Sequence, residues 1–118
     1  MAARVLIVDD HAAFRAFARL TLARAGYDVV GEAQNARTAL AAVQALQPDL
    51  VLLDVGLPDC DGIALAALLG QEDRPPRVIL VSSRDAGDYG RRLRDAGLQF
   101  IPKAELSGRA VDALVRRP

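Results

Sequence analysis

The chain has 118 residues, 52% of them hydrophobic, enough to bury a core, and a single domain spanning residues 1–118 is expected. Fifteen basic and fifteen acidic residues leave no net charge, and aromatics are 4% with no tryptophan, which excludes the basic patch and base-stacking platform of a nucleic-acid binder. The lone cysteine, Cys60, excludes an internal disulfide framework, and the short apolar run before Asp9 is too brief for a secretion signal or membrane span, so a cytoplasmic setting is expected.

Residues 5–8 (VLIV) stop abruptly at Asp9-Asp10, which predicts a strand buried on both faces. Phe14, Phe17, Ala18, Thr21 and Leu22 then fall at helical spacing, with Gly26 as the stop. A second strand is predicted over 27–33, followed by a helix bearing Ala36, Ala39, Leu40, Val43 and Leu46 and closed before Pro48. The third strand covers 49–54; Gly56, Pro58 and Gly62 mark a loop, and a helix follows over 63–69. After Pro75-Pro76 the run 78–81 is the fourth strand, ending in Ser82-Ser83. A helix within 85–96 is weakened by Gly87 and Gly90, each costing about 1 kcal/mol against alanine. Beyond Gly97, residues 98–102 predict a short fifth strand, and Val111, Leu114 and Val115 a last amphipathic helix.

This alternation predicts an α/β fold, a doubly wound five-stranded parallel sheet with helices on both faces and right-handed crossovers. The common five-strand solution is the flavodoxin-like order 2-1-3-4-5, with a crevice at the carboxyl ends of strands one and three. The polar residues fall on that edge. Asp9 and Asp10 end strand one, Asp54 ends strand three, Ser82 ends strand four, and Lys103 follows strand five. Three carboxylates brought together repel one another unless a hard cation compensates them, and Mg²⁺ is the natural candidate because it keeps open positions for phosphate oxygens. Asp54 is then placed to attack phosphorus and form an acyl phosphate. The metal and Lys103 would neutralise the equatorial oxygens, and Ser82 would hydrogen-bond one of them.

VDDH at 8–11, LLDVGLPDCDG at 52–62, VSS at 81–83 and FIPK at 100–103 resemble the receiver domains of two-component response regulators, the CheY-like family, over essentially the whole chain. The resemblance implies Asp54 as the phospho-acceptor, with Asp9, Asp10, Asp54 and the Gly56 carbonyl as ligands of Mg²⁺, for which Mn²⁺ can substitute. It implies Ser82 as the switch hydroxyl, Lys103 as the phosphate contact and Phe100 as the rotating aromatic of an output face made of helix four, strand five and helix five. A histidine kinase or phosphotransfer protein is the implied donor, and acetyl phosphate a small-molecule one. Slow autodephosphorylation is implied as the only other reaction, so the protein is a switch and not an enzyme acting on a separate substrate. DDHAAFR, YDVVGEAQNARTAL and FIPKAEL look most like receivers of LuxR-type helix-turn-helix regulators, which implies dimerisation on phosphorylation and contact with DNA only through an output domain. No such domain follows Pro118, leaving open a piece of a longer regulator or a single-domain one. Ala104 stands where the family often has a cis proline, so a trans bond is expected. Gly56 and Arg84 occupy positions that tune phosphoryl lifetime in this family.

Each residue also has a plainer reading. Asp9-Asp10 alone would serve as a helix-capping pair, Asp54 as a strand-end turn residue, Ser82 as a loop hydrogen-bonder, Lys103 as a solvated charge and Phe100 as core. His11 is read as a helix-start residue rather than a ligand, because Mg²⁺ prefers oxygen. Cys60 is read as a plain loop cysteine, with Asp59 and Asp61 as turn formers making local hydrogen bonds. Two other functions use similar parts. A phosphatase of the haloacid dehalogenase class would carry its nucleophile on strand one in a DxD pattern. A flavodoxin-like cofactor module would need a glycine- and hydroxyl-rich phosphate loop where this chain is acidic. A degenerate receiver that signals by binding alone would not retain all five site positions.

Overall fold

The computed structural model describes residues 2–83 and 90–116. Its elements are β1 Arg4–Val8, α1 Ala12–Arg24, β2 Asp28–Ala33, α2 Ala36–Leu46, β3 Leu50–Asp54, α3 Gly62–Leu69, β4 Arg77–Ser82, α4 Arg91–Asp95, β5 Gln99–Pro102 and α5 Gly108–Val115. The strands form one parallel sheet, as the alternation predicts, in the order β2-β1-β3-β4-β5 expected of the common five-strand solution. No helix among the described residues is long and apolar enough to cross a membrane.

Because side chains alternate along a strand, each continuous apolar run feeds two separate cores. Leu6, Val8, Val51, Leu53, Leu80 and Phe100 point to one face, where Ala39, Val43, Leu65, Leu69 and Leu93 of α2, α3 and α4 cover them. Val5, Ile7, Leu50, Leu52, Ile79, Val81 and Ile101 point to the other, beneath Ala18 and Leu22 of α1 and Val111 of α5. All five residues of β3 are buried, consistent with its central place. Doubly wound packing of this kind leaves the carboxyl edge uncovered, and the loops there carry the site.

Local chemistry sets the helix ends. Gly26 and Gly97 adopt φ of 94° and 81°, left-handed values that glycine reaches without strain, and they close α1 and α4. Asn35 caps α2 by accepting from the Thr38 N–H at 2.8 Å, and Thr38 answers through the Asn35 N–H. α1 departs from the capping alternative: its N-cap is His11, with no side-chain cap bond, so Asp9 and Asp10 do not serve that role. Their carboxylates turn toward the crevice cluster instead. A 3₁₀ turn at Lys103–Glu105, not foreseen from sequence, lies between β5 and α5. Of the helix predicted within 85–96, only Arg91–Asp95 falls in the described residues; Arg84, Asp85 and Gly87 lie outside them.

Candidate functional site

Four strand ends deliver the site. Asp9 follows β1 and is fully buried, Asp54 is the last residue of β3 and 5% exposed, Ser82 ends β4 and is 6% exposed, and Lys103 follows Pro102 of β5. The register aligns them, with Asp54 opposite Val81 and Ser82 opposite Pro102. Lys103 Nζ lies 2.6 Å from Asp9 Oδ2 and 3.7 Å from Asp54 Oδ2, and it rests 4.5 Å above the ring of Phe14 in α1. The cation is thus held between two buried carboxylates and an aromatic face. The sequence offered no signal for Phe14 in this role, since its helical spacing marks it only as apolar.

The carboxylates are not comfortable there. Burial, followed by the neighbouring Asp9 charge, raises the pKa of Asp54; Lys103 and the Gly56 N–H oppose the rise, and Asp10 adds to it. The Gly56 N–H donates to Asp54 Oδ1 at 3.3 Å. Asp9 Oδ1 accepts the His11 N–H at 2.8 Å, while Asp9 Oδ2, close to the lysine but off the direction of a hydrogen bond, accepts none among the described residues. Donor atoms of Asp9, Asp10, His11 and Asp54 all fall within 4.8 Å of one another. A buried carboxylate oxygen without a hydrogen bond, in a mainly oxygen donor set, suits a hard divalent cation.

The loop from β3 to α3 is pinned at several points. Gly56 and Asp61 form an isolated antiparallel bridge, the Gly62 N–H donates to the Val55 carbonyl at 2.8 Å, and Asp61 caps α3 through the Ile63 N–H at 2.9 Å. Gly62 is required: a Cβ there would run into the Asp54 carbonyl oxygen and Val55 Cα. Gly56, by contrast, has open space where a Cβ would stand. Asp61 makes the local bond expected of a turn former. Asp59 does not; its carboxylate reaches across to the first turn of α2 and accepts from the Ala36 and Arg37 N–H groups at 2.8 and 3.2 Å. Those donors are unpaired at any helix start, so a carboxylate there is stabilised, and the backbone bonds hold the pKa of Asp59 below the usual range.

These residues border a crevice of about 540 Å³ lined by His11, Asp54, Gly56, Cys60, Ser82 and Lys103 together with neighbours that include Arg92 and Ile63. Arg92, from α4, and Ile63 were not foreseen at the site, and one of three arginines in a glycine-dotted stretch carried no sequence signal for it. The Lys103–Ala104 bond is trans, as are all peptide bonds among the described residues. Phe100, also on β5, is 6% exposed and would be touched by a Cβ at Gly90 at 3.2 Å.

A parallel sheet in this order, with an acidic pair, a lone carboxylate, a hydroxyl and a lysine at the ends of adjacent strands, is the arrangement of a receiver domain. Residues 5–114 match the response regulator receiver domain family, and the chain belongs to it. Receivers of this kind are signalling switches of two-component systems and bind Mg²⁺ at an acidic pocket. Among its relatives, a putative transcriptional regulator of Pseudomonas aeruginosa is 37% identical over 103 residues, covering 86% of this chain and 50% of that protein. Solved structures similar to it include the receiver domain of the putative response regulator NarL from Mycobacterium tuberculosis, at TM-score 0.82 and 32% identity, covering 97% of this chain and 94% of that one. A LuxR-family two-component response regulator from Aurantimonas matches at TM-score 0.80 and 30% identity, covering 98% and 86%. The chain spans about half the length of the Pseudomonas regulator.

Proposed function

We propose that Asp54 is the phospho-acceptor of a Mg²⁺-dependent switch and that its phosphoryl group comes from the phosphohistidine of a histidine kinase or phosphotransfer protein. The observation that carries this reading is the meeting of Asp9, Asp54 and Lys103 at one buried point of the carboxyl edge, with Nζ 2.6 and 3.7 Å from the two carboxylates. An Asp54 oxygen forms the new O–P bond as the N–P bond of phosphohistidine breaks, and the freed imidazole keeps the bonding electrons. Asp54 must be ionised to attack, and burial works against that ionisation. Lys103 offsets the cost and then stabilises charge on the phosphoryl oxygens. Asp9, Asp10, Asp54 and the Gly56 carbonyl would hold Mg²⁺, or Mn²⁺ in its place, which would neutralise the rest of the negative charge on those oxygens.

Ser82 donates its hydroxyl to a phosphoryl oxygen and moves toward it. Phe100, one strand away on β5, turns with it and so alters the face made by α4, β5 and α5. The two states need differ by only a few kcal/mol for one phosphoryl group to shift their populations. Residues 1–118 form one receiver domain that works in the cytoplasm and catalyses only its own phosphorylation and slow dephosphorylation. Phosphorylation favours a homodimer. Like the LuxR-type regulators, it reaches DNA only through an output domain, since its own charges balance.

Incubation with acetyl phosphate and Mg²⁺, followed by intact mass measurement beside Asp54→Asn, tests the reading. The expected result is one added phosphoryl group that requires the metal and is absent from Asp54→Asn. No gain with acetyl phosphate and none with a phosphorylated histidine kinase would leave a receiver that signals by binding alone.

A further inference from the structure

His11 lines the crevice, and the phosphoryl-transfer reading leaves it without work. It precedes α1 but makes no side-chain cap bond, and its side chain is 67% exposed, so the fold does not need the ring. Yet the ring is not turned to solvent at random. Its Nδ1 lies 3.1 Å from Asp9 Oδ1 and 3.1 Å from Asp10 Oδ1, two carboxylates on successive residues.

Those separations have the dimensions of a coordination shell. Neighbouring ligands of an octahedral ion with bonds of about 2.1 Å stand ~3.0 Å apart, and opposite ligands ~4.2 Å. Both 3.1 Å distances match neighbouring positions. The donor atoms of Asp9, Asp10, His11 and Asp54 all lie within 4.8 Å, so a modest contraction closes them around one ion. Asp9 is fully buried, and its Oδ2, which faces Lys103 Nζ at 2.6 Å, accepts no hydrogen bond among the described residues, so it can face a second cation as well.

An all-oxygen shell suits Mg²⁺, whereas an imidazole nitrogen adds affinity for Co²⁺, Ni²⁺ and Zn²⁺. We infer that His11 is a nitrogen ligand of this site and tilts it from Mg²⁺ toward late first-row divalent ions of the Co²⁺ and Zn²⁺ class. This rests on the acidic pocket being the metal site proposed above. An Nδ1–H shared between the two carboxylates would give the same distances without any metal selectivity, and the two arrangements separate experimentally.

The full chain, His11→Ala, His11→Gln and Asp9→Asn are titrated calorimetrically with Co²⁺ and with Mg²⁺, and the visible absorption of bound Co²⁺ is recorded. Far-ultraviolet circular dichroism checks that each variant is folded, and the exposed, uncapping side chain of His11 makes its replacement compatible with the fold. The Co²⁺-to-Mg²⁺ affinity ratio falls about tenfold or more in both His11 variants, and the Co²⁺ band changes as a nitrogen ligand is lost. Asp9→Asn weakens both metals. An unchanged affinity ratio and Co²⁺ spectrum in both His11 variants overturns the inference, as does full Co²⁺ affinity in Asp9→Asn, which would place the ion away from the acidic pair. A wild type that binds Co²⁺ through His11 and Asp9 but fails to bind Mg²⁺ would overturn the Mg²⁺ reading while upholding the role of His11.

Discussion

The two ends of the sheet treat charge in opposite ways. At the amino end, charged and polar groups close one another's account. Arg4 donates to the Leu46 and Gln47 carbonyls at 2.7 and 3.1 Å, and Asp49 accepts the Arg4 backbone N–H at 2.8 Å. On the other side of that end, Arg77 and Gln99 both reach the Leu114 carbonyl near the end of α5. The last carbonyls of α2 and α5, which no helix can satisfy internally, find donors there. At the carboxyl end, like charges converge and the main counter-charge is a single lysine. One end satisfies its charges, and the other leaves like charges facing one another.

The contrast can be broken by substitution. Gly62→Ala carries the largest expected effect, a loss of roughly 3 kcal/mol in urea unfolding, because the new Cβ meets backbone at Asp54 and Val55 that cannot move aside. Arg4→Met, at the amino end, is expected to cost about 1–2 kcal/mol by the same measurement, since α2 loses two charge-assisted bonds at its terminus. Asp54→Asn has the opposite sign. Removing a buried carboxylate that its neighbours disfavour raises the melting temperature in metal-free buffer, and a fall would sink the idea that this end sacrifices stability.

The smallest effect is pH-dependent. Burial, and next the hydrogen bond to Asp112 at 2.5 Å, push the Tyr27 phenol from 10.0 up to about 12. A phenol whose folded pKa exceeds its unfolded one stabilises the fold fully below about pH 10, and that contribution is lost as pH climbs through about 12. Tyr27→Phe is therefore expected to lose about 1 kcal/mol at pH 7, with the gap to wild type closing in denaturation curves taken above pH 10. A gap that stays constant to high pH would show that the bond with Asp112 contributes nothing.

The sequence disclosed what repeats locally. Apolar runs ending in a polar residue announced β1, β3 and β4, and the alternation of strands with helices implied a parallel sheet whose carboxyl edge gathers Asp9, Asp54, Ser82 and Lys103, whereas the strand order rested on the common five-strand solution. Long-range contacts were another matter. Asp59 sits in a turn sequence that predicts local bonds, yet its carboxylate meets α2, because the helix start offered unpaired N–H groups that the turn did not. Phe14 beneath Lys103 and Nδ1 of His11 against two carboxylates depend on side-chain direction, which residue spacing does not encode. The helix predicted within 85–96 stays undecided over its first residues, which lie outside those described.

The pair between Asp9 and Lys103 joins the first strand to the turn after the last. During synthesis the acid therefore leaves the ribosome long before its base. Without β5 and the turn after it the aspartates of this edge have no ammonium to balance them, so the edge becomes tolerable only once the last strand of the sheet has joined it. The ion pair thus ties charge balance at the carboxyl edge to the docking of the last strand.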